Sequence, residues 1–420
     1  MSALQPVRGT RDILPEEMRR HRAVQEVARE MAARYGYAEI ATPIFELTEV
    51  FARSLGATSD IVTKEMYTFQ DKGGESITLR PEYTAGVARA FMSNFRARHL
   101  PLKFFCCGPM FRYERPQKGR LRQFHQIDVE LLGVRQPLGD VEVIALAAHI
   151  LEALGLKDRV TLELNTLGDF ASRAAYRKRL VDYLGKHRDR LSAESLVRLK
   201  RNPLRIFDSK DKGDQAVVAR APLLMDSLNQ ESRKFFDKVC QGLEAVGVAY
   251  HVNPRLVRGL DYYCHTAFEF TTTELGAQGA VLAGGRYDGL VKSMGGGMGG
   301  PDTPATGWAA GVERLAMLIE APKDQARPIV VVPVDDREAQ ERKALEVTRQ
   351  LRRAGFTVEL GFSGSLRKRM RHANKLAARA AVLLGEDELA QNAATVRDLE
   401  SGEQELVSLD ALTERLARFR

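Results

Sequence analysis

Phe111-Arg112-Tyr113-Glu114, then Arg115-Pro116-Gln117-Lys118-Gly119-Arg120, then Leu121-Arg122-Gln123-Phe124-His125-Gln126-Ile127-Asp128-Val129-Glu130 is the stretch that decides the fold. Residues 103–114 and 121–134 are rich in strand formers, and a short basic loop separates them, so the spacing predicts a long hairpin. Side chains alternate along a strand, so Phe124, Gln126, Asp128 and Glu130 share one face and His125, Ile127, Val129 and Leu131 the other. On the preceding strand Arg112 and Glu114 share a face. This is an antiparallel sheet with one apolar face and one polar face. The polar face is open to two readings: a solvated surface with cross-strand ion pairs, or a recognition surface. Phe124 among the charges, and Arg115, Lys118 and Arg120 in the loop, favour the second and an anionic ligand.

On the N-terminal side, residues 15–35 read as a helix, with Pro15 in its first turn, Gly36 at its stop and Val24, Val27, Ala28 and Met31 as its apolar stripe. A hairpin is predicted at 66–69 and 76–79 around Asp71-Lys72-Gly73-Gly74, and a helix at 141–155. Residues 169–247 read as mostly helical and polar. Strands are expected at 255–273 and 279–283, a glycine-rich loop at 295–300 and a helix at 306–319. Beyond a linker at 322–327 the rhythm becomes strand, helix, strand, helix, strand, which predicts a parallel sheet with flanking helices. The expected fold class is therefore α+β. It has an antiparallel-sheet core (1–168 and 249–321), a helical insertion (169–248) and a separate α/β domain (328–420).

Composition bounds the function. The 420 residues carry 63 Lys plus Arg against 55 Asp plus Glu, a formal charge of +8. That suggests an anionic partner without naming one. No apolar run reaches the ~20 residues of a membrane span, and the first eight residues lack a signal-peptide core, so a cytoplasmic protein is expected. Cys106, Cys107, Cys240 and Cys264 form no CxxC pair, and the histidines form no HExxH pattern, so no metal site is expected from motifs. There is no P-loop and no Rossmann fingerprint. A nucleotide would have to be held by arginines and an aromatic platform.

With those residues in view, Phe111–Glu114 with Arg120–Phe124 resembles motif 2 of class II aminoacyl-tRNA synthetases. Gly307-Trp308-Ala309-Ala310-Gly311-Val312-Glu313-Arg314 resembles motif 3, and the first helix with the chain to Pro43 is similar to motif 1, a dimer-interface element. Leu256-Val257-Arg258-Gly259-Leu260-Asp261-Tyr262-Tyr263 and Ala283-Gly284-Gly285-Arg286-Tyr287-Asp288-Gly289-Leu290 resemble the two histidine-specific motifs of bacterial histidyl-tRNA synthetases, and Leu79-Arg80-Pro81-Glu82 also matches that family.

The resemblance implies ATP-dependent activation of L-histidine and transfer to the 3′ end of tRNA(His), by a homodimer with Mg²⁺ on the pyrophosphate oxygens. It implies catalytic roles for Arg112 and Arg258, and ATP binding by Arg112, Glu114, Arg120, Phe124 and Arg314. Histidine would be met by Glu82, Tyr83, Thr84, Gln126, Glu130, Arg258, Tyr262, Tyr263 and Tyr287. tRNA phosphates would be met by Arg115 and Lys118 in the hairpin loop and by Arg367, Lys368, Arg369 and Arg371 in the last domain, which by itself carries a net charge of only +1. Tyr83 and Asp128 stand where the family commonly has small residues. The alternative is a synthetase-like, non-catalytic regulatory subunit of ATP phosphoribosyltransferase. Such proteins lack the last domain and often lose the arginines, whereas this chain keeps Arg112, Arg258 and Arg314.

Overall fold

The structure is a computed structural model. It describes residues 4–56, 61–258, 260, 262–276, 279–295, 299–320 and 327–419, the side chain of Asp208 excepted. Gly259, Asp261, residues 296–298 of the glycine-rich loop and 322–326 of the linker lie outside the described residues. The chain divides into two compact units, Met1–Ala321 and Pro322–Arg420.

In chain order the first unit has strands β1 (Ala38–Glu39), β2 (Phe45–Leu47), β3 (Tyr67–Gln70), β4 (Ser76–Leu79), β5 (Leu102–Phe111), β6 (Gln123–Leu132), β7 (Thr161–Thr166), β8 (His251–Val252), β9 (Cys264–Thr271), β10 (Ala280–Arg286) and β11 (Ala305–Gly311). Its helices are α1 (Pro15–Arg34), α2 (Thr48–Ser54), α3 (Thr84–Asn94), α4 (Pro137–Ala153), α5 (Phe170–Gly185), α6 (Ala193–Arg201), α7 (Lys212–Val218), α8 (Gln230–Ala245), α9 (Leu290–Met294) and α10 (Val312–Leu318). The large sheet runs β1-β5-β6-β11-β10-β9-β7-β8, and β2-β4-β3 form a small one. From β5 to β7 every pairing is antiparallel.

The long hairpin forms as its alternation predicts, with Phe104 opposite Glu130 and Met110 opposite Phe124. Ile127, Val129 and Leu131 pack against Val24, Ala28 and Met31 of α1 and Val143, Ile144 and Ala147 of α4. The polar face is not solvated: Gln126, Asp128 and Glu130 are all buried. Two expected elements differ. Residues 255–258, 260, 262 and 263 are not strand. Residues 305–311 are strand rather than the start of a helix, because they fill the slot between β6 and β10. Pairing partners on both sides outweigh the helix preference of Ala309 and Ala310.

Between β7 and β8, helices α5, α6, α7 and α8 each start at a polar N-cap, Asp169, Ser192, Asp211 and Asn229, whose side chain accepts a backbone N–H of the first turn. Phe236, Val239 and Leu243 of α8 join the core cluster that holds α4.

The second unit has strands β12 (Ile329–Pro333), β13 (Val358–Leu360), β14 (Ala380–Leu384), β15 (Ala393–Asp398) and β16 (Gln404–Ser408), in the order β13-β12-β14-β15-β16. β13, β12 and β14 are parallel, and a hairpin completes the sheet. Helix α11 (Glu338–Arg353) covers the face of Ile329 and Val331 with Ala344, Val347 and Leu351. Helix α12 (Leu366–Lys375) covers the face of Val330 and Val332 with Ala373 and Met370. Coverage on both faces explains why β12 is continuously apolar.

Candidate active site

One cavity opens on the polar face of β6, walled by the start of α3, by Arg258, Leu260, Tyr262 and Tyr263, by β10 and by the turn into α10. Its two ends differ in charge.

At the acidic end, Glu82 precedes α3. One carboxylate oxygen accepts the Ala85 N–H (2.7 Å) and the other the Tyr262 hydroxyl (3.2 Å). Burial raises the Glu82 pKa, against the pull of those donors and Arg112. Deeper, Glu130 accepts the hydroxyls of Thr84 (2.5 Å) and Tyr287. Burial pushes its carboxyl up to about 8, while the two hydroxyl donors oppose the rise. Asp128 lines the cavity with both oxygens buried and unpartnered. Burial, together with Glu130 and Glu82, holds its carboxyl well above the usual range. The Gln126 amide oxygen is likewise buried without a donor. Tyr262 and Tyr263 complete this end.

Two features place these groups. Gly307 of β11 lies directly opposite Glu130. A Cβ there would stand 1.9 Å from Glu130 Oε2 and 2.4 Å from the Val129 carbonyl, so only glycine permits the approach. Tyr287 follows Arg286, whose fully buried guanidinium pairs with Asp140 (2.5 Å) and Asp288 (3.0 Å) and donates to the carbonyls of Val134 (2.8 Å) and Gln136 (3.2 Å). Sequence reading missed Asp140 and the positioning role of Arg286. The signal that could have exposed them was an acidic residue, Asp140, in the first turn of a mainly apolar helix, α4.

The other end is basic and aromatic. Arg112 donates through Nε to the Pro81 carbonyl (2.8 Å), and its guanidinium lies 5.3 Å from the Phe124 ring centre. Arg120 is bonded to Glu114. Arg314 donates to the carbonyls of Gly119 (3.0 Å) and Ala280 (2.6 Å), and burial lowers its pKa. Arg258 pairs with Glu269 of β9 (2.5 Å) and lies 5.2 Å from the Tyr263 ring centre, its Nε buried without a partner. Arg112, Arg120, Arg258 and Arg314 all line the cavity beside Phe124.

Several expected residues lie elsewhere. Tyr83 does not narrow the cavity. It is buried in the core, with Arg80 stacked 4.3 Å from its ring centre and its hydroxyl against Gly108, where no side chain fills the space. Glu130 sits beneath the lining and reaches it through Tyr287 and Thr84. Arg115 and Lys118 are exposed on the hairpin loop. In the second unit Arg367, Lys368 and Arg371 are exposed, but Arg369 is not. Arg369 shares the inward face of α12 with Ala373, donates to the Pro333 carbonyl (2.6 Å) and pairs with Asp336, so it leaves the basic surface.

An antiparallel sheet whose long hairpin and following strand–helix turn carry arginines around a stacking ring defines the catalytic core of a class II aminoacyl-tRNA synthetase. The family model for histidyl-tRNA synthetase matches residues 9–315, and an anticodon-binding-domain model matches residues 328–418. The chain is 60% identical to a histidine–tRNA ligase of Rhodospirillum rubrum over the whole of both chains. It is 54% identical to that of Gluconacetobacter diazotrophicus over 99% of each. The crystal structure of apo Staphylococcus aureus histidyl-tRNA synthetase superposes with a TM-score of 0.80 at 34% identity, covering 98% of this chain and 99% of that one. The chain belongs to the histidyl-tRNA synthetase family.

Proposed function

We infer that the chain is a histidine–tRNA ligase that activates L-histidine with ATP and esterifies the 3′ end of tRNA(His). The observation that carries this is the two-ended cavity. Carboxylates, Gln126 and tyrosines suit an ammonium and an imidazole, and four arginines around Phe124 suit a triphosphate and a base.

The ammonium of histidine is met by Glu82, Thr84 and Gln126, each of which offers an acceptor oxygen. Tyr263 and the Tyr287–Glu130 pair face the imidazole. Adenine stacks on Phe124 with Glu114 at its amino group, and Arg120 and Arg314 take the terminal phosphates. A histidine carboxylate oxygen attacks the α-phosphorus, the bond to the bridging oxygen breaks, and pyrophosphate leaves. Negative charge grows on the phosphoryl oxygens, where Arg112 and Arg258 stand ready in a largely dry site. The terminal ribose hydroxyl of the tRNA then attacks the acyl carbon and AMP leaves. A site built around hydrogen bonds to its substrate rejects analogues lacking them by about 10⁴-fold or more.

Mg²⁺ fits this site as a companion of ATP. Glu114 and Glu269 are engaged by Arg120 and Arg258, so the cation would rest on triphosphate oxygens and water, as it commonly does. It would neutralise phosphate charge.

We assign 1–168 and 249–321 to the catalytic core, 169–248 to an insertion against the acceptor arm, 322–327 to a linker and 328–420 to anticodon binding, with Arg367, Lys368 and Arg371 on phosphates. A homodimer is supported by exposed Ile44, Phe45, Leu47 and Phe69 on and beside the small sheet. No helix among the described residues is long and apolar enough to cross a membrane, and the cytoplasm is the assigned compartment. The regulatory-subunit alternative does not account for the retained arginines and last domain. The test is charging of tRNA(His) with labelled histidine. Acid-stable, base-labile label on the tRNA is expected, and its absence with intact protein refutes the reading.

A further inference from the structure

Three side chains far apart in sequence meet beside this cavity. His21 comes from α1, His125 from β6 and Glu313 from the first turn of α10, and each offers a ligand atom within 4.8 Å of the others. Glu313 has an evident partner: it accepts the backbone N–H of His125 (2.9 and 3.0 Å) and contacts His125 Nδ1 (2.9 Å). His21 has none. Its side chain is 1% exposed, and neither ring nitrogen makes a hydrogen bond. Its edge-on contact with the His125 ring (5.8 Å between centres) satisfies neither nitrogen. A buried donor left unpaired is destabilising, a cost that a phenylalanine at the same place would avoid. The unpaired imidazole is the group that points to a ligand.

We propose that His21, His125 and Glu313 form a binding site for a transition-metal ion of the zinc class, with Glu17 as a neighbouring fourth donor. Two imidazoles and one carboxylate are a zinc donor set, whereas Mg²⁺ and Ca²⁺ prefer oxygen alone. Glu17 Oε1 stands 3.7 Å from His21 Nε2 and is bonded to Arg11, a contact the ion would replace. Metal–ligand bonds of about 2.0–2.2 Å place tetrahedral donors roughly 3.3 Å apart, so closure needs side-chain rotation of the order of 1 Å. The ion would replace the contact between His125 Nδ1 and Glu313, leaving the His125 proton on Nε2. The backbone N–H of His125 would continue to orient the Glu313 carboxylate. No bond other than coordination forms. The ion would tie α1, β6 and α10 together one residue from Phe124, and so would stabilise the fold.

The test uses the full-length, chelator-dialysed protein titrated with Co²⁺ and then Zn²⁺. One Co²⁺ per chain is expected, with the visible absorption of a four-coordinate nitrogen–oxygen site and no thiolate charge-transfer band, displaced by Zn²⁺, which raises the melting temperature. In His21→Phe affinity should fall by more than about 100-fold, beyond what loss of an outer partner gives, while circular dichroism and histidine activation stay at wild-type levels. His21→Gln, polar and a poor ligand, should behave alike and guards against a packing fault in the first variant. No stoichiometric binding, unchanged binding in both variants, or a thiolate band would overturn the proposal.

Discussion

Replacing Glu130 by glutamine isolates the most consequential electrostatic feature of the site. Glu130 is fully buried, and its carboxyl is held at about 8 against an ordinary 4.5. Below pH 4.5 folded and unfolded chains both hold this proton, and stability is independent of it. Between 4.5 and 8 the unfolded chain releases the proton while the folded chain keeps it, so raising the pH destabilises the fold. The slope approaches 1.4 kcal/mol per pH unit, and the loss is complete once the folded carboxyl also ionises, about 5 kcal/mol in all. Glutamine keeps the shape and acceptor for Thr84 and Tyr287 but cannot titrate. Urea unfolding of the ligand-free proteins from pH 4 to pH 9 should therefore show wild-type stability falling relative to Glu130→Gln, steepest between 5 and 8. Parallel curves across that range would refute the reasoning.

Other consequences are equally direct. Gly307→Ala drives a methyl group into Glu130 and the Val129 carbonyl. It should cost about 1–3 kcal/mol in unfolding experiments and disable histidine activation. Arg258→Ala should reduce activation by orders of magnitude while circular dichroism stays native. Lys368→Ala should weaken tRNA binding and lower its log–log salt slope by about 1, without changing stability. Arg369→Ala should do the reverse, lowering the melting temperature because the buried Pro333 and Asp336 contacts are lost.

Strand periodicity made the hairpin and its two faces legible, because the alternation from Gln126 to Leu131 is unbroken. It could not say that the polar face is dry. That depends on α3 and on Arg258, Leu260, Tyr262 and Tyr263, which close over it from distant parts of the chain. Residues 305–311 misled for a related reason, since the alanines and glycines that dominate them have no strand preference of their own. Arg369 was readable in principle: it precedes Ala373 by four residues, on the face that Met370 and Leu366 turn towards β12, but a run of basic residues hides that phase. The Asp140–Arg286 pair and the His21–His125–Glu313 cluster join residues more than 100 apart, and no local pattern announces either.

The central claim is that one cavity joins histidine to ATP. Its most direct test is ATP–pyrophosphate exchange with each amino acid in turn. Exchange that depends on histidine, and is lost in Arg258→Ala, is the predicted result. Exchange with no amino acid, or with one other than histidine, would contradict the account.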